Sequence, residues 1–138
     1  MYLLDKDLNA IQRLLIEDKE VLRLMDLTGK PAVDIAEKII KKSKWDDLAG
    51  NSKRICIFPL PSRSTRNEIL FEEIIEIDVH VPSLQDFHAR QIMGRIVEVL
   101  KAKSINGRYL NFKGIEGELA TMQGFYCVGV RFGYFSPI

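Results

Sequence analysis

The sequence has no apolar run long enough to cross a bilayer, which takes about 18 consecutive apolar residues. Its first residues also lack the basic segment and the apolar segment that together mark a secretory signal peptide. Cysteine is scarce: Cys56 and Cys127 are the only two in 138 residues, whereas a small secreted domain stapled by disulfides normally carries more. We therefore expect a protein that is soluble when made, has no membrane partner and keeps two buried free thiols in a reducing cytoplasm.

Charge of one sign is not in excess either, because 20 basic and 19 acidic residues leave a net charge of +1. A domain whose task is to hold nucleic acid usually shows a strong basic surplus, since its affinity comes largely from neutralising phosphates. The apolar share of 46% and the charged share of 28% are ordinary for a globular protein. The chain length suits a single domain spanning residues 1–138. The composition thus argues against both a dedicated DNA-binding domain and a disordered chain.

The motifs of catalysis and of cofactor binding are missing as well. The two histidines, His80 and His88, belong to no HxxxH or HExxH spacing and have no cysteine near them in sequence, whereas a zinc site takes about four such ligands. The glycines near the end form neither a GxGxxG motif nor a Walker A loop. Two of them, Gly129 and Gly133, alternate within a strand and are expected to mark a close approach or a bulge. We therefore predict no catalytic residue, no metal and no cofactor, and a protein that is not an enzyme.

Periodicity predicts the elements of the first half. Apolar residues at three- and four-residue steps indicate helices over 5–26 and 31–44. A strand is expected near 53–59. A loop or arm is expected from Pro59 to Asn67, because that segment is rich in proline, serine and polar residues.

The arm has few apolar anchors and carries Pro59, Pro61, Arg63 and Arg66. Arginine is favoured at interfaces because its planar guanidinium pairs with carboxylates through two hydrogen bonds. We expect the arm to lie outside the core of its own subunit and to contact another chain.

Residues 69–81 form the clearest strand, with apolar side chains at alternate positions. The even positions include Glu72, Glu76, Asp78 and His80. This alternation predicts an antiparallel sheet with one apolar face and one solvated face, and it places the three even carboxylates in solvent. Glu73 falls on the apolar face, so we expect it to pair with an arginine from a neighbouring element or subunit.

A third helix and two further strands complete the pattern. Ser83 is expected to cap the helix, which runs to about Lys103 and is stopped by Asn106-Gly107. Its predicted core stripe is Phe87, Ile92, Ile96, Val99 and Leu100. Strands are expected over 108–115 and 124–135, with 116–123 as a loop or a strand extension. In the last strand the residues that share one face are Tyr126, Val128, Val130, Phe132 and Tyr134.

The predicted fold class is α+β. We expect a single antiparallel or mixed sheet of about four strands, with helices packed on one face and two helices at the N-terminus.

Three segments resemble the tail terminator proteins of long-tailed bacteriophages, also called tail completion or tail-to-head joining proteins. They are the strand at 72–81, the helix at 86–100 with its Asn106-Gly107 stop, and the aromatic strand at 124–135. The resemblance covers residues 54–138 as an order of elements.

The resemblance implies a structural virion protein that closes the head-proximal end of a tail tube as a homo-oligomeric, hexameric ring. It would sit in the tail or neck after assembly in the cytoplasm of the bacterial host. The implied partners are other copies of the chain, the tail tube protein and head connector or neck proteins, with DNA only in transit. The candidate interface residues are Pro59, Pro61, Arg63, Arg66, Glu73 and Phe135.

Other functions remain open at this point. The chain is also compatible with a head-side connector or neck protein, and with a small ferredoxin-like regulatory domain that binds a ligand. A third possibility is an enzyme whose site forms at a subunit interface. A pocket lined by convergent polar groups would favour the ligand-binding domain, and two ionisable residues with strongly shifted pKa values would favour the enzyme.

Overall fold

The structure, a computed structural model, describes residues 4–66 and 69–137. The helices are α1 (Leu4–Ile16), α2 (Lys19–Leu24), α3 (Ala32–Lys38) and α4 (Asp86–Leu100), the last preceded by a 3-10 turn at Ser83–Gln85. The strands are β1 (Ile39–Ile40), β2 (Arg54–Ser64), β3 (Leu70–Pro82), β4 (Ser104–Ile105), β5 (Arg108–Tyr109), β6 (Asn111–Glu118) and β7 (Phe125–Pro137). Among these residues no helix is long and apolar enough to cross a membrane.

Five strands form one mixed sheet in the order β1-β2-β3-β7-β6, and β4 and β5 form a separate hairpin. Only β1 runs parallel to its neighbour, whereas the other pairs are antiparallel. The α+β class and the mixed sheet were predicted. The fifth strand is the two-residue β1, which is too short to leave a periodic signal in the sequence.

The main core lies between one face of the sheet and the helices. Ile75, Ile77 and Val79 of β3 pack in the same cluster as Ile92 and Ile96 of α4, as predicted. The predicted face of β7 also belongs to this cluster. Burial of these side chains holds α4 across the centre of the sheet, where each branched aliphatic side chain contributes about 1.5–3 kcal/mol.

The helix predicted over 5–26 is in fact two helices, α1 and α2, which separate at Asp18. Asp18 has extended backbone angles, and its carboxylate accepts a hydrogen bond from the Val21 amide at 2.9 Å, as an N-cap residue does. The same carboxylate accepts two hydrogen bonds from Arg95 of α4, at 2.7 and 2.9 Å. The prediction was wrong because the apolar spacing continues across the break between the two helices. The ion pair that stabilises this break joins Asp18 to Arg95, which is distant in sequence.

The helix predicted over 31–44 ends at Lys38. Ile39 and Ile40 continue the chain as β1, which pairs with Ile55 and Cys56. Ile39 is completely buried, and β-branched residues pack well on a pleated surface. The described N-terminal residues therefore form three helices rather than two.

The third predicted helix also has different ends. Ser83 lies in the 3-10 turn, and α4 begins at Asp86 without a side-chain cap. Phe87 is exposed rather than part of the core stripe. The helix ends at Leu100, and Asn106-Gly107 forms the turn of the β4–β5 hairpin, where both residues have positive φ. An Asn-Gly pair suits either a helix end or a tight hairpin turn. Here β4 pairs with β5, so Asn106-Gly107 forms a hairpin turn.

The N-terminal helix is attached to the sheet through the buried carboxylate of Asp7. It accepts hydrogen bonds from Arg108 Nη2 at 2.7 Å to each oxygen, from the Tyr134 hydroxyl at 2.7 Å and from Asn106 Nδ2 at 2.8 Å. Burial and the bond to Asp7 raise the pKa of Tyr134 far above its ordinary value, so its hydroxyl stays protonated and donates. Asp7 therefore joins α1 to β5, to β7 and to the hairpin turn.

Candidate functional site

The predicted arm is largely strand. Residues 59–64 belong to β2 and pair with β3 as far as Ser64 opposite Phe71, with an irregularity between Leu60 and Arg63. The loop prediction was wrong there because β3 supplies a long partner strand. The prolines are tolerated because β1 covers only Ile55 and Cys56, so the outer side of β2 is an edge beyond that point. The interface prediction for the arm covers residues 59–68, and its last two residues, Asn67 and Glu68, lie outside the described residues.

Three residues form one row across the strands at the far end of this hairpin. Arg63 is opposite Glu72 on β3, and Glu72 is opposite Phe135 on β7. Arg63 is exposed, and Phe135 has 49% of its surface exposed. Pro59, Pro61 and Arg66 are exposed as well. The structure thus brings two predicted interface residues, Arg63 and Phe135, onto one face of the projecting end.

Glu73 lies on the other face. It is buried and is directly opposite Tyr134, and its charge is one of the causes that raise the pKa of Tyr134. Its position on the apolar face was predicted, and the arginine partner stays a prediction.

The second face of the sheet is not the solvated face that the alternation predicted. Glu72, Glu76, Asp78 and His80 are all buried. Two covering segments supply the reason. Trp45 stacks on His80 with ring centroids 6.5 Å apart. The loop after β6 places Thr121 Oγ1 2.8 Å from His80 Nδ1 and places Leu119 over Gly129. The alternation within β3 carries no information about either of these covering segments.

Ion pairs neutralise two of these carboxylates. Lys113 of β6 reaches across β7 to Glu72, with Nζ 2.9 Å from Oε2. Arg131 lies between Glu76 at 3.0 Å and Glu116 at 2.7 Å. Glycine at position 133 eases the crossing, since a Cβ there would lie 3.1 Å from the Glu72 carboxylate and 3.3 Å from Lys113 Cδ. The close approach predicted for this glycine is confirmed.

A second close approach lies further along the same face. A Cβ on Gly129 would lie 2.4 Å from Asp78 Oδ1, so only glycine leaves room for that carboxyl group. Asp78, His80 and Cys127 meet there, and their ligand atoms all lie within 4.8 Å of one another. Cys127 is opposite His80 in the strand pairing, with Sγ 3.7 Å from Nε2. Sequence reasoning missed this cluster because Cys127 is 47 residues from His80 along the chain and meets Asp78 and His80 only through the register of β3 and β7.

Burial shifts the pKa values of the cluster. It raises the pKa of Asp78 to about 8, with a further contribution from the neighbouring Glu76 carboxyl group. It lowers the pKa of His80 to about 4, helped by the positive charge of Arg54. Burial also raises the pKa of the Cys127 thiol. At neutral pH the three side chains are therefore largely uncharged. Two strongly shifted pKa values were named above as a feature that would favour an enzyme whose site forms at a subunit interface, but the main cause of the Asp78 and His80 shifts is burial within this chain.

These shifts predict a pH dependence of stability in chelator-containing buffer. The folded protein holds the Asp78 proton more tightly than the unfolded chain, whose pKa is 3.8, so this group makes stability fall as the pH rises from about 4 to 8. Folding lowers the pKa of His80 from 6.5 to about 4, so this group makes stability rise as the pH rises from 4 to 6.5. In that interval the effects of Asp78 and His80 oppose each other. Between pH 6.5 and 8 the effect of Asp78 is much the larger of the two, and the free energy of unfolding should fall by about 1–2 kcal/mol.

Urea denaturation at pH 6.5 and at pH 8 measures this fall. Asp78→Asn removes the titration, so the variant should be equally stable at the two pH values. A wild-type stability that is constant or rises across this interval would show that Asp78 is ionised in the folded protein.

The chain was compared with protein-family models, with curated proteins and with solved structures, and only the solved structures gave matches. No protein-family model matches the chain, and no curated protein matches it. A chain of a solved structure, the virion of a native gene transfer agent particle, has the same fold with a TM-score of 0.67. The two are 13% identical, and the match covers 98% of this chain and 97% of that one. A second solved chain, 11% identical over 88% of this chain and 96% of its own, has a TM-score of 0.46, which is too low to support an argument.

The fold is therefore that of a small α+β domain found in a virion particle. The match extends over nearly the whole chain and is not confined to residues 54–138.

Proposed function

We propose that this protein is a structural virion component. More specifically, we propose that it is a tail terminator, which closes the head-proximal end of a phage tail tube and joins tail to head as a homo-oligomeric, hexameric ring. The observation that carries the proposal is the shared fold, over 98% of the chain, with a protein of the gene transfer agent virion. The order of elements from residue 54 onwards, which resembles tail terminators, supports it independently.

The sheet has two free edges that suit assembly into a ring. At one edge β6 has no further strand among the described residues, and it exposes Phe112 and Ile115. At the other edge β2 projects past β1 with Pro59, Pro61 and Arg63. Two different surfaces at opposite edges can meet in a head-to-tail contact, which is the kind of contact that closes rings. The prolines limit backbone pairing at the β2 edge, so contacts there would be made by side chains.

The balance of charge suits a part through which DNA passes. A net charge of +1 does not favour tight phosphate binding, which would hinder passage along a channel. The partners in this proposal are therefore other copies of the chain, the tail tube protein and the connector or neck proteins of the head, with DNA in transit.

Deleting the gene and examining particles by electron microscopy tests the function. Tails that exceed their set length, or that remain unattached beside filled heads, are the expected result. Tails of normal length beside heads that lose their DNA would instead indicate a head-side connector. Normal particles would contradict any essential virion role.

The projecting end of the β2–β3 hairpin gives a test of assembly. Reversing the charge of Arg63 and Arg66 to glutamate should leave the monomer folded, because both side chains are exposed, and should weaken self-association about tenfold or more. Analytical ultracentrifugation measures the association, and circular dichroism checks the fold. The control reverses Lys6 and Arg13, which are exposed on α1 and give the same change in net charge. Equal weakening by both pairs would show a general charge effect and remove the hairpin from the interface.

A further inference from the structure

The proposed structural role in the virion does not account for the side chains that meet at Asp78, His80 and Cys127. It offers one carboxylate oxygen, one imidazole nitrogen and one thiol sulfur on one face of two adjacent strands. Nitrogen and sulfur ligands with a carboxylate are the set that zinc and cobalt prefer. All three residues are buried, so their polar atoms must find partners within the protein.

The spacing of the ligand atoms fits a tetrahedral ion. Zinc lies about 2.0–2.1 Å from imidazole nitrogen and about 2.3 Å from thiolate sulfur, so these two atoms are about 3.6 Å apart when both bind one ion. His80 Nε2 and Cys127 Sγ are 3.7 Å apart. The third ligand atom lies within 4.8 Å of both, so a change of about 1 Å in the Asp78 rotamer completes the three contacts.

The imidazole is also held in the orientation that a ligand needs. Its Nδ1 is 2.8 Å from Thr121 Oγ1. When Nδ1 carries the proton and donates it to this hydroxyl, the lone pair of Nε2 points towards Cys127. Metal-binding histidines are commonly oriented in this way by a hydrogen bond at the other ring nitrogen.

Asp78 supplies the independent observation. Its Oδ1 atom is buried without a hydrogen-bond partner among the described residues, and 7% of the residue is exposed. A buried carboxyl oxygen without a partner lowers the stability of the folded protein. Gly129 keeps the space beside this oxygen clear. A ligand that binds Oδ1 would remove this cost.

We propose that Asp78, His80 and Cys127 bind one divalent transition metal ion of the zinc type. The ion displaces one proton from the Asp78 carboxyl group and one from the Cys127 thiol, and both protons go to solvent. One carboxylate and one thiolate balance the two charges of the ion, so the buried site remains neutral. Cys56 donates a hydrogen bond to the Lys44 carbonyl at 3.5 Å and is not one of the proposed ligands. In this proposal a water molecule takes the fourth position. The ion joins β3 to β7 and acts as a structural staple.

Cobalt titration of the full chain, first stripped with a chelator, tests the site directly. We expect one equivalent of Co²⁺ to bind, with a thiolate-to-cobalt charge-transfer band and the intense visible bands of a tetrahedral ion. One equivalent of Zn²⁺ should abolish both sets of bands. Zinc at about 100 times its dissociation constant should raise the unfolding midpoint by about 5–10 °C.

Two matched pairs of variants locate the ion. Cys127→Ser should lose the charge-transfer band, whereas Cys56→Ser should keep it. His80→Gln should weaken cobalt binding at least tenfold. His88 lies against Lys53 and is not a proposed ligand, so His88→Gln should bind cobalt as the wild type does. If a variant does not fold, the wild-type titration still decides. A wild type without the charge-transfer band at millimolar Co²⁺, or a band lost only in Cys56→Ser, overturns the proposal.

The metal site and the virion role fail separately. Cobalt binding is measured on the purified chain, whereas the virion role is read from tail length and head attachment in particles.

Discussion

Replacing Asp7 by alanine is expected to lower the free energy of unfolding by about 3–5 kcal/mol, the largest single effect that we predict. The carboxylate is 1% exposed and accepts bonds from Arg108, Tyr134 and Asn106. Alanine would leave a guanidinium and a buried hydroxyl without their acceptor, and removing one member of a buried pair costs about this much. Urea or guanidinium denaturation of the two proteins measures the difference.

Asp5→Ala is the control for that experiment. Asp5 lies on the same turn of α1 but is exposed, so its loss removes only a favourable interaction with the helix dipole, about 0.3–1 kcal/mol. Similar losses for the two variants would mean that Asp7 acts through the helix dipole and that its links to β5 and β7 contribute little.

Ile96→Ala should cost about 2–5 kcal/mol, as for other large-to-small changes in a core. Ile96 is 0% exposed and lies in the cluster that joins α4 to β3 and β7. Because the helix is held by this apolar face rather than by a side-chain cap, the lost contacts are not replaced locally. Thermal and chemical denaturation both measure the change.

Ile115→Ala is the matched control, since the same side chain is 59% exposed on β6. We expect a change within about 0.5 kcal/mol in the monomer. A loss of stability for Ile96→Ala that is as small as that of Ile115→Ala would show that α4 does not pack on the sheet as described. Weaker self-association of Ile115→Ala at unchanged stability would place β6 in the ring contact.

The two faces of β3 show how far periodicity can be taken. The alternation over 69–81 correctly identified the strand and the side that packs on α4. It wrongly placed Glu72, Glu76 and Asp78 in solvent. A polar residue at an alternate position indicates the face opposite the apolar core, but it does not reveal whether a loop and a neighbouring cation cover that face.

The predicted boundaries of the helices were wrong for a related reason. Helix periodicity continues across Asp18, and it continues from α3 into Ile39 and Ile40. In both places the deciding interaction comes from elsewhere: Arg95 of α4 binds Asp18, and β2 pairs with β1. The arm was misread in the same way, because the partner of residues 59–64 is β3.

The sequence by itself determined the α+β class, the long central strands, the apolar face of β7 and the burial of both cysteines. These depend on local periodicity and on composition, which a single chain displays directly. Only the tertiary structure decided that Asp78, His80 and Cys127 meet and that Asp7 ties α1 to β7. Both arrangements join residues far apart in sequence, and they depend on strand register and on covering segments, for which the spacing of residues along the chain carries no signal.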